Sequence, residues 1–307
     1  MSKKAFIGLG NMGGHMARNI MKAGMALHGF DISKRALDEF AKAGGTAASS
    51  AKEAANGADL LMLMVETGDQ ARAALFSTGV AESLEKGSTV VLCSTISPMD
   101  AREIANELEV RGHMMLDAPV SGGQAGAKAG SLTVMVSGPS EARKKAWPIL
   151  EAISGKIYVL GESPGLGATY KVVHQLAAGV HLVAAAELMS FGEKAGCDPK
   201  TLLEIVSASA GRSWMLQDRG PRMLQDDPKA TSTVDIFIKD MGLVLETGND
   251  CAVALPMART ARQMLAKARD LGLGASDDSQ VVRVYESLTD VSSSANSVKS
   301  SDSECLP

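Results

Sequence analysis

Short runs of apolar residues alternate with amphipathic stretches over roughly the first half of the chain. The runs have the length of buried strands and cover residues 5–7, 27–31, 60–65, 89–93, 114–116 and 132–136. Between the first two runs, residues 11–23 carry apolar side chains at helical spacing. Strands that alternate with helices predict a mostly parallel, doubly wound α/β sheet with helices on both faces, as in a Rossmann domain.

The pattern changes after residue 160. Three glycines and one proline punctuate residues 161–167, and helical segments follow at 168–195, 199–208, 235–249 and 257–271 with no convincing strand between them. We therefore predict a Rossmann domain over 1–161 and an all-α substrate and oligomerisation domain over 162–290, entered through a long interdomain helix. The serine-rich tail over 291–307 has little to bury and is predicted to be disordered.

Composition excludes several classes of function. The 307 residues carry a net charge of −4 and are only 4% aromatic, so the chain has neither a basic stripe nor a stacking platform for nucleic acid. No apolar run approaches the about 20 residues of a membrane span, and the first one is too short for a signal peptide. Four scattered cysteines are typical of a reduced, intracellular chain. We expect a cytoplasmic protein without a metal, a nucleic-acid partner or a membrane segment.

A glycine-rich turn follows the first strand and opens the first helix. Its residues are Gly8, Leu9, Gly10, Asn11, Met12 and Gly13. In a dinucleotide site Gly8 would make the turn, Gly10 would let the backbone approach a pyrophosphate, and Gly13 would let helix and strand pack closely. Glycines also serve ordinary tight turns, but the strand before and the helix after favour a dinucleotide site.

Asp31 ends the second strand, 21 residues after Gly10. A carboxylate at this point accepts the ribose hydroxyls of NAD and repels the 2′-phosphate of NADP. The alternative is a helix N-cap, a role that Ser33 fills equally well. Lys34 and Arg35 follow and would tolerate NADP weakly, so NAD is the favoured cofactor.

Two later loops offer backbone N–H groups to an anion. Ser121, Gly122 and Gly123 follow a strand and precede a helix of small residues, so their amides would suit a carboxylate. An ordinary serine-capped turn explains the same residues equally well. The loop that contains Thr95 can likewise be explained as a capped strand-to-helix turn.

Lys171 stands near the start of an otherwise apolar helix and shares one helical face with His174 and Gln175. A lysine that transfers protons near neutral pH needs a pKa about 2–3 units below its reference value, which partial burial provides. Helical spacing alone favours a different interpretation, a solvated lysine beside a core histidine.

Taken together, these motifs resemble the β-hydroxyacid dehydrogenase family, which includes 3-hydroxyisobutyrate dehydrogenase. The resemblance rests on four motifs in the family's order and spacing, at residues 6–13, 117–132, 167–171 and 237–240. It covers the chain from about residue 4 to 288. Most members continue the catalytic lysine motif as Lys-x-x-Asn-Asn, whereas this chain has His174 and Gln175. That variant looks like the L-threonate dehydrogenase branch.

The resemblance implies a mechanism. NAD would lie across the glycine-rich turn, with Thr95 and Lys239 near its nicotinamide half and Val65 near its adenosine side, although many relatives have Leu-Pro where this chain has Val-Glu. The substrate carboxylate would sit on the amides of residues 121–123. Lys171 would act as the general base for oxidation of L-threonate to 2-dehydro-L-erythronate. His174 and Gln175 would bind substrate hydroxyls or orient Lys171.

Other functions stay open at this stage. The same fold would serve 3-hydroxyisobutyrate, tartronate semialdehyde or a sulfonated analogue such as sulfolactaldehyde. Imine reductases share the architecture but lack the lysine, and a non-catalytic dinucleotide-binding scaffold would have no need of Lys171. Family members are commonly homodimers or homotetramers, which is also the expectation here.

Overall fold

A computed structural model describes residues 2–288 of the chain. Its contacts divide the protein into two compact units, Met1–His174 and Gln175–Pro307. The division falls inside a long helix, thirteen residues beyond the boundary predicted from the sequence, which stays a prediction. The predicted disordered tail over 291–307 lies outside the described residues.

The first unit is built on one twisted sheet. Its strands are β1 Lys3–Ile7, β2 His28–Phe30, β3 Thr46–Ala47, β4 Ala58–Leu63, β5 Thr89–Leu92, β6 Met114–Asp117, β7 Val120–Ser121, β8 Leu132–Ser137 and β9 Ser154–Gly161. They lie in the order β3-β2-β1-β4-β5-β6-β8-β7, with β9 also paired to β8. All pairs are parallel except β6–β8 and β7–β8. The predicted doubly wound, mostly parallel sheet is confirmed.

Helices connect these strands and cover both faces of the sheet. They are α1 Gly13–Lys22, α2 Lys34–Lys42, α3 Ala51–Ala55, α4 Gly68–Arg72, α5 Val80–Ser83, α6 Pro98–Val110, α7 Gly123–Ala129 and α8 Ser140–Ile153, followed by α9 Leu166–Lys194. Four of them begin at a serine or threonine whose side chain accepts an N–H of the first turn: Ser33, Ser50, Thr67 and Ser97.

Strand β4 shows why an unbroken apolar run marks a central strand. Leu60 and Met62 belong to the core on one face of the sheet, and Leu61 and Leu63 belong to the core on the other. All four are at most 1% exposed. Because neighbouring side chains point to opposite faces and both faces are covered, every position must be apolar.

The second unit is all-helical in its described part. After the end of α9 it contains α10 Pro199–Ala208, α11 Trp214–Met223, α12 Val234–Asp250 and α13 Pro256–Ala268, and residues 282–288 are also helical. A buried ion pair ties α11 to the segment after α13, because Arg219 donates two hydrogen bonds to Asp278 at 2.9 and 2.8 Å. The all-α class predicted for this half of the chain is confirmed.

Several elements were missing from the sequence prediction. Strand β9 contains an apolar run over residues 157–160 that the sequence analysis did not assign, and none of the strand's residues is fully buried. Helix α11 contains Gly220 and Pro221, which weaken the helical pattern. Strands β3 and β7 have two residues each, too few to show a period.

Helix α9 also corrects the prediction that no segment reaches membrane length. Its 29 residues are long and apolar enough to cross a membrane, judged by length and composition alone. Of its most apolar window, 44% is buried inside the protein. Core helices of soluble proteins pass the same test, so this is weak evidence for a membrane segment.

Candidate active site

The predicted cofactor residues of the first unit gather along one edge of the sheet. Gly8 follows β1, Asp31 follows β2, Val65 lies two residues beyond β4, and Thr95 lies three residues beyond β5. These four strands are neighbours and parallel, so their carboxyl ends share an edge. In open α/β sheets this edge is where ligands bind.

The glycines of the first turn have different steric reasons to be glycine. Gly8 has φ +92°, and a Cβ there would collide with the carbonyl oxygen of Met64. A Cβ on Gly13 would collide with the carbonyl oxygen of Gly8. A Cβ on Gly10 would meet no heavy atom of another described residue within 4 Å. Space is therefore left over Gly10, as the close approach of a pyrophosphate to this backbone requires.

The start of α1 has the properties of an anion site. No side chain of residues 2–288 caps this helix, and its first turn contains no acidic residue. Met12 occupies the N-cap position, and Gly10 and Asn11 before it are exposed. The N–H groups of Gly14 and His15 donate to the carbonyls of Gly10 and Met12, and no carboxylate competes at this helix start, so the helix dipole favours a phosphate there. Together with the space over Gly10, this start fits the dinucleotide predicted from the sequence.

Asp31 is held between the glycine turn and α2. Its carboxylate accepts the backbone N–H of Leu9 at 2.6 Å and that of Ser33 at 2.7 Å. Ser33, and not Asp31, caps α2 by accepting the N–H of Ala36. Lys34 is exposed at the start of the same helix. Asp31 is therefore not the cap of α2, and its carboxylate instead contacts the glycine-rich turn.

Strands β4 and β5 contribute a second pair of loops. The N–H of Val65 donates to the Ser94 hydroxyl at 3.0 Å, which joins the ends of β4 and β5. Thr95, the next residue, is half-buried beside this contact. Its predicted role near the nicotinamide stays a prediction.

Two predicted substrate residues are in contact. The Ser121 hydroxyl lies 3.1 Å from Nε2 of His174, although 53 residues separate them. Gly122 and Gly123 follow with φ +126° and +60°, conformations that residues with a side chain rarely adopt. Within the described chain no side chain caps α7, which starts at Gly123. The loop therefore presents its amides and one hydroxyl beside an imidazole.

The exposures of Lys171 and His174 are the opposite of those that helical spacing favours, a solvated lysine beside a core histidine. Lys171 is only 6% exposed, whereas His174, one turn further along α9, is exposed. The protein therefore buries the lysine and leaves the histidine accessible beside Ser121. Burial disfavours the charged form of an amine, which is the physical requirement for a lysine base.

The remaining predicted residues belong to the second unit. Gln175 is 6% exposed, and its amide nitrogen donates to Asp240 Oδ2 at 2.5 Å. Lys239 forms an ion pair with Asp240 Oδ1 at 2.8 Å. Asp240 thus joins a predicted substrate residue to a predicted cofactor residue, a link that the sequence analysis did not identify.

Asp117 is a second residue whose role the sequence analysis missed. It ends β6, is 1% exposed, and its Oδ2 accepts N–H groups of Gly165 and Ala168 at 2.9 and 2.8 Å. Burial raises the pKa of its carboxyl to about 6, although these N–H groups and the Ser137 hydroxyl oppose the shift. An acid at the end of a buried apolar strand was the available signal.

Two family models cover nearly the whole described chain. The first is the NAD-binding domain of 6-phosphogluconate dehydrogenase, which matches residues 3–161. The second is the NAD-binding domain of NADP-dependent 3-hydroxyisobutyrate dehydrogenase, which matches residues 165–285. With the fit of the glycine turn, these matches establish NAD as the cofactor type.

Individual relatives agree with the family models. An L-threonate dehydrogenase of Cupriavidus necator is 40% identical over 92% of this chain and 95% of its own length. An NAD-dependent L-serine dehydrogenase of Pseudomonas aeruginosa is 36% identical over 93% of this chain and 98% of its own. A crystal structure of a 3-hydroxyisobutyrate dehydrogenase from Salmonella typhimurium has a TM-score of 0.88 at 39% identity, covering 92% of this chain and 100% of that one.

Proposed function

The chain belongs to the 3-hydroxyisobutyrate dehydrogenase-like family of NAD-dependent dehydrogenases, and from this premise we propose that it oxidises the C2 hydroxyl of L-threonate. The product would be 2-dehydro-L-erythronate, a 2-oxo four-carbon acid. Oxidation of such a sugar acid is a step of carbohydrate acid catabolism.

The proposed mechanism uses residues of the first unit to move the proton. Lys171, which is buried, takes the proton of the C2 hydroxyl when its amine is neutral. NAD, when bound, supplies the acceptor for the hydride that leaves C2. The amides of Gly122 and Gly123 and the hydroxyl of Ser121 bind the substrate carboxylate.

The observation that carries the proposal is the contact between Ser121 and His174. It joins the loop assigned to the substrate carboxylate to the residue that distinguishes this chain from the Asn-bearing members of the family. His174 can therefore offer a ring nitrogen to a second substrate hydroxyl. A less hydroxylated acid would not form this hydrogen bond, a net loss of about 0.5–1.5 kcal/mol, because water can solvate the exposed imidazole instead.

The cofactor preference follows from Asp31. Its carboxylate, fixed by the N–H groups of Leu9 and Ser33, accepts ribose hydroxyls and repels a 2′-phosphate. We expect NAD to be strongly preferred to NADP. Lys239 of the second unit is assigned to the nicotinamide half by the family resemblance alone.

We also propose that the protein is a cytoplasmic homodimer or homotetramer, with a small hydroxy acid as its substrate. The second unit exposes large apolar side chains: Phe191 is 75%, Ile205 57% and Trp214 50% exposed. Exposed apolar surface of this kind is typical of subunit contacts.

The test is NADH formation by the purified protein. L-Threonate, D-threonate, L-erythronate, D-glycerate, L-serine and 3-hydroxyisobutyrate would each be offered with NAD or NADP. We expect the highest kcat/KM for L-threonate with NAD, and a loss of up to about tenfold for acids that lack the additional hydroxyl.

Two outcomes would overturn the substrate assignment. Preferred turnover of 3-hydroxyisobutyrate or L-serine would show that His174 does not select a hydroxylated acid. Binding of NAD without turnover of any acid would favour the scaffold function. A His174→Asn variant, which restores the usual family residue, should lose preference for L-threonate while retaining NAD binding.

A further inference from the structure

Asp117 and Ser137 face each other across the sheet. They are the last residues of β6 and β8 and form the antiparallel pair that joins these strands. Both are buried, at 1% and 0% exposure, and the Ser137 hydroxyl donates to Asp117 Oδ2 at 3.4 Å. The pair places one carboxylate and one hydroxyl against the segment that precedes Lys171.

These two side chains satisfy the first turn of α9. Asp117 accepts the N–H groups of Gly165 and Ala168, and Ser137 accepts that of Gly167 at 3.0 Å. The first N–H groups of a helix have no partner within the helix, so such bonds fix where its chain begins. The bonds span 30 to 51 residues of sequence, unlike the local caps of α2, α3, α4 and α6.

The glycines of the lysine motif make this docking sterically possible. A Cβ on Gly167 would lie 2.5 Å from the carbonyl oxygen of Met135 and 2.7 Å from that of Asp117. Gly165 has φ +101°. The first turn therefore touches the ends of β6 and β8 directly, and Lys171 follows it by one helical turn.

We propose that Asp117 is a positioning residue for Lys171. Its carboxylate, with Ser137, fixes the start of α9 relative to the loop at residues 121–123, which begins four residues after Asp117 on the same stretch of chain. The Asp117 carboxylate thereby fixes the position of the base relative to the amides that bind the substrate. This inference rests on the proposed role of Lys171 as the base.

The test compares Asp117→Ala, Asp117→Asn and Ser137→Ala by kcat with L-threonate and KM for NAD. We expect a fall of about 10²-fold in kcat for Asp117→Ala, since small displacements of a catalytic group cost this much. Asp117→Asn keeps an oxygen acceptor but loses the charge, so we expect about a tenfold fall, and a similar one for Ser137→Ala. KM for NAD should stay within about twofold because α1 is unaltered.

The matched control is Asp198→Ala. Asp198 caps α10 in the second unit by accepting the N–H of Thr201 at 2.8 Å. Its loss removes the same kind of bond far along the chain from the lysine motif, so kcat should be unchanged. Hydrogen–deuterium exchange should rise over residues 164–172 in the Asp117 and Ser137 variants, and over 198–204 in the control.

The outcomes separate this inference from the proposed function. Faster exchange at 164–172 with an unchanged kcat in the folded variants would overturn the positioning role and leave Asp117 a structural residue. Unchanged exchange in Asp117→Ala would overturn the docking itself. If the wild type turns over another hydroxy acid and not L-threonate, only the substrate assignment fails, and the same kcat comparison is made with that acid.

Discussion

Helices α1 and α9 both begin against the sheet of the first unit, but their first turns are satisfied differently. In α1 no side chain of the described residues caps the start, the N–H groups of Gly14 and His15 donate to backbone carbonyls of the turn itself, and space is left over Gly10. In α9 the corresponding N–H groups are bound by Asp117 and Ser137. One start is left for a ligand, and the other is occupied by the protein.

The difference indicates two uses of the same backbone property. Unpaired N–H groups at a helix start attract an anion, and a mobile cofactor phosphate can be that anion. When a buried carboxylate of the chain fills the position, binding is replaced by precise placement of the residues that follow. The α1 start suits a cofactor that must leave, and the α9 start suits a lysine that must stay.

The first turn of α9, bound by Asp117 and Ser137, is here called the docked start. The largest effect should come from removing Lys171, the side chain that this turn positions. Lys171→Ala should lower kcat by about 10²–10⁴-fold, since no proton acceptor would remain at that point. Lys171→Arg should be equally inactive, because guanidinium stays protonated. Lys194→Ala, at the exposed end of the same helix, is the control and should retain wild-type kcat. Near wild-type turnover by Lys171→Ala would remove this lysine as the base.

The open start of α1 is tested by two glycine variants. Gly10→Ala places a methyl group in space that the described residues leave empty, so the melting temperature should stay unchanged while the Kd for NAD rises at least about tenfold. Gly13→Ala forces a methyl group against the Gly8 carbonyl and should lower the melting temperature. Calorimetry measures the melting temperature of each variant, and titration with NAD measures its Kd. Unchanged NAD binding by Gly10→Ala would mean that the pyrophosphate lies elsewhere.

Local features of the site could be predicted from the sequence. The glycine turn depends on residues close together in the chain, and the strand–turn–helix pattern fixes its place after β1. The central strands were also predictable, because burial on both faces demands continuous apolarity, as in β4.

Features that depend on distant contacts could not be predicted. Whether Lys171 or His174 is buried is decided by what packs on α9, and helical spacing favoured the opposite assignment. The bonds from Asp117 cross 48 and 51 residues, so no period in the sequence reveals them. Strand β9 pairs in parallel with β8, and its apolar run over residues 157–160 does not by itself show which strand it pairs with.

The smallest expected effect concerns the charge at the docked start. Burial raises the pKa of Asp117 from 3.8 to about 6 in the folded protein. Between these values the folded state binds the proton more tightly than the unfolded chain. The stability that this group contributes is therefore greatest at low pH and falls as pH rises toward about 6, with no further change above it.

Asp117→Asn has no titrating carboxyl at this position. The difference in stability between the wild type and this variant therefore measures the effect of the Asp117 titration. From about pH 4 to pH 7 the melting temperature of the wild type should fall by a few degrees relative to that of the variant. Asp198, whose pKa is lowered chiefly by the N–H and hydroxyl of Thr201, is a control of opposite sign. Its stabilising contribution is lost only as pH falls below about 4, so the difference between the wild type and Asp198→Asn should be constant from about pH 4 to pH 7 and should shrink at lower pH. A wild-type to Asp117→Asn difference that is constant with pH would contradict a raised Asp117 pKa, and the docked start would then carry its charge at no cost from burial.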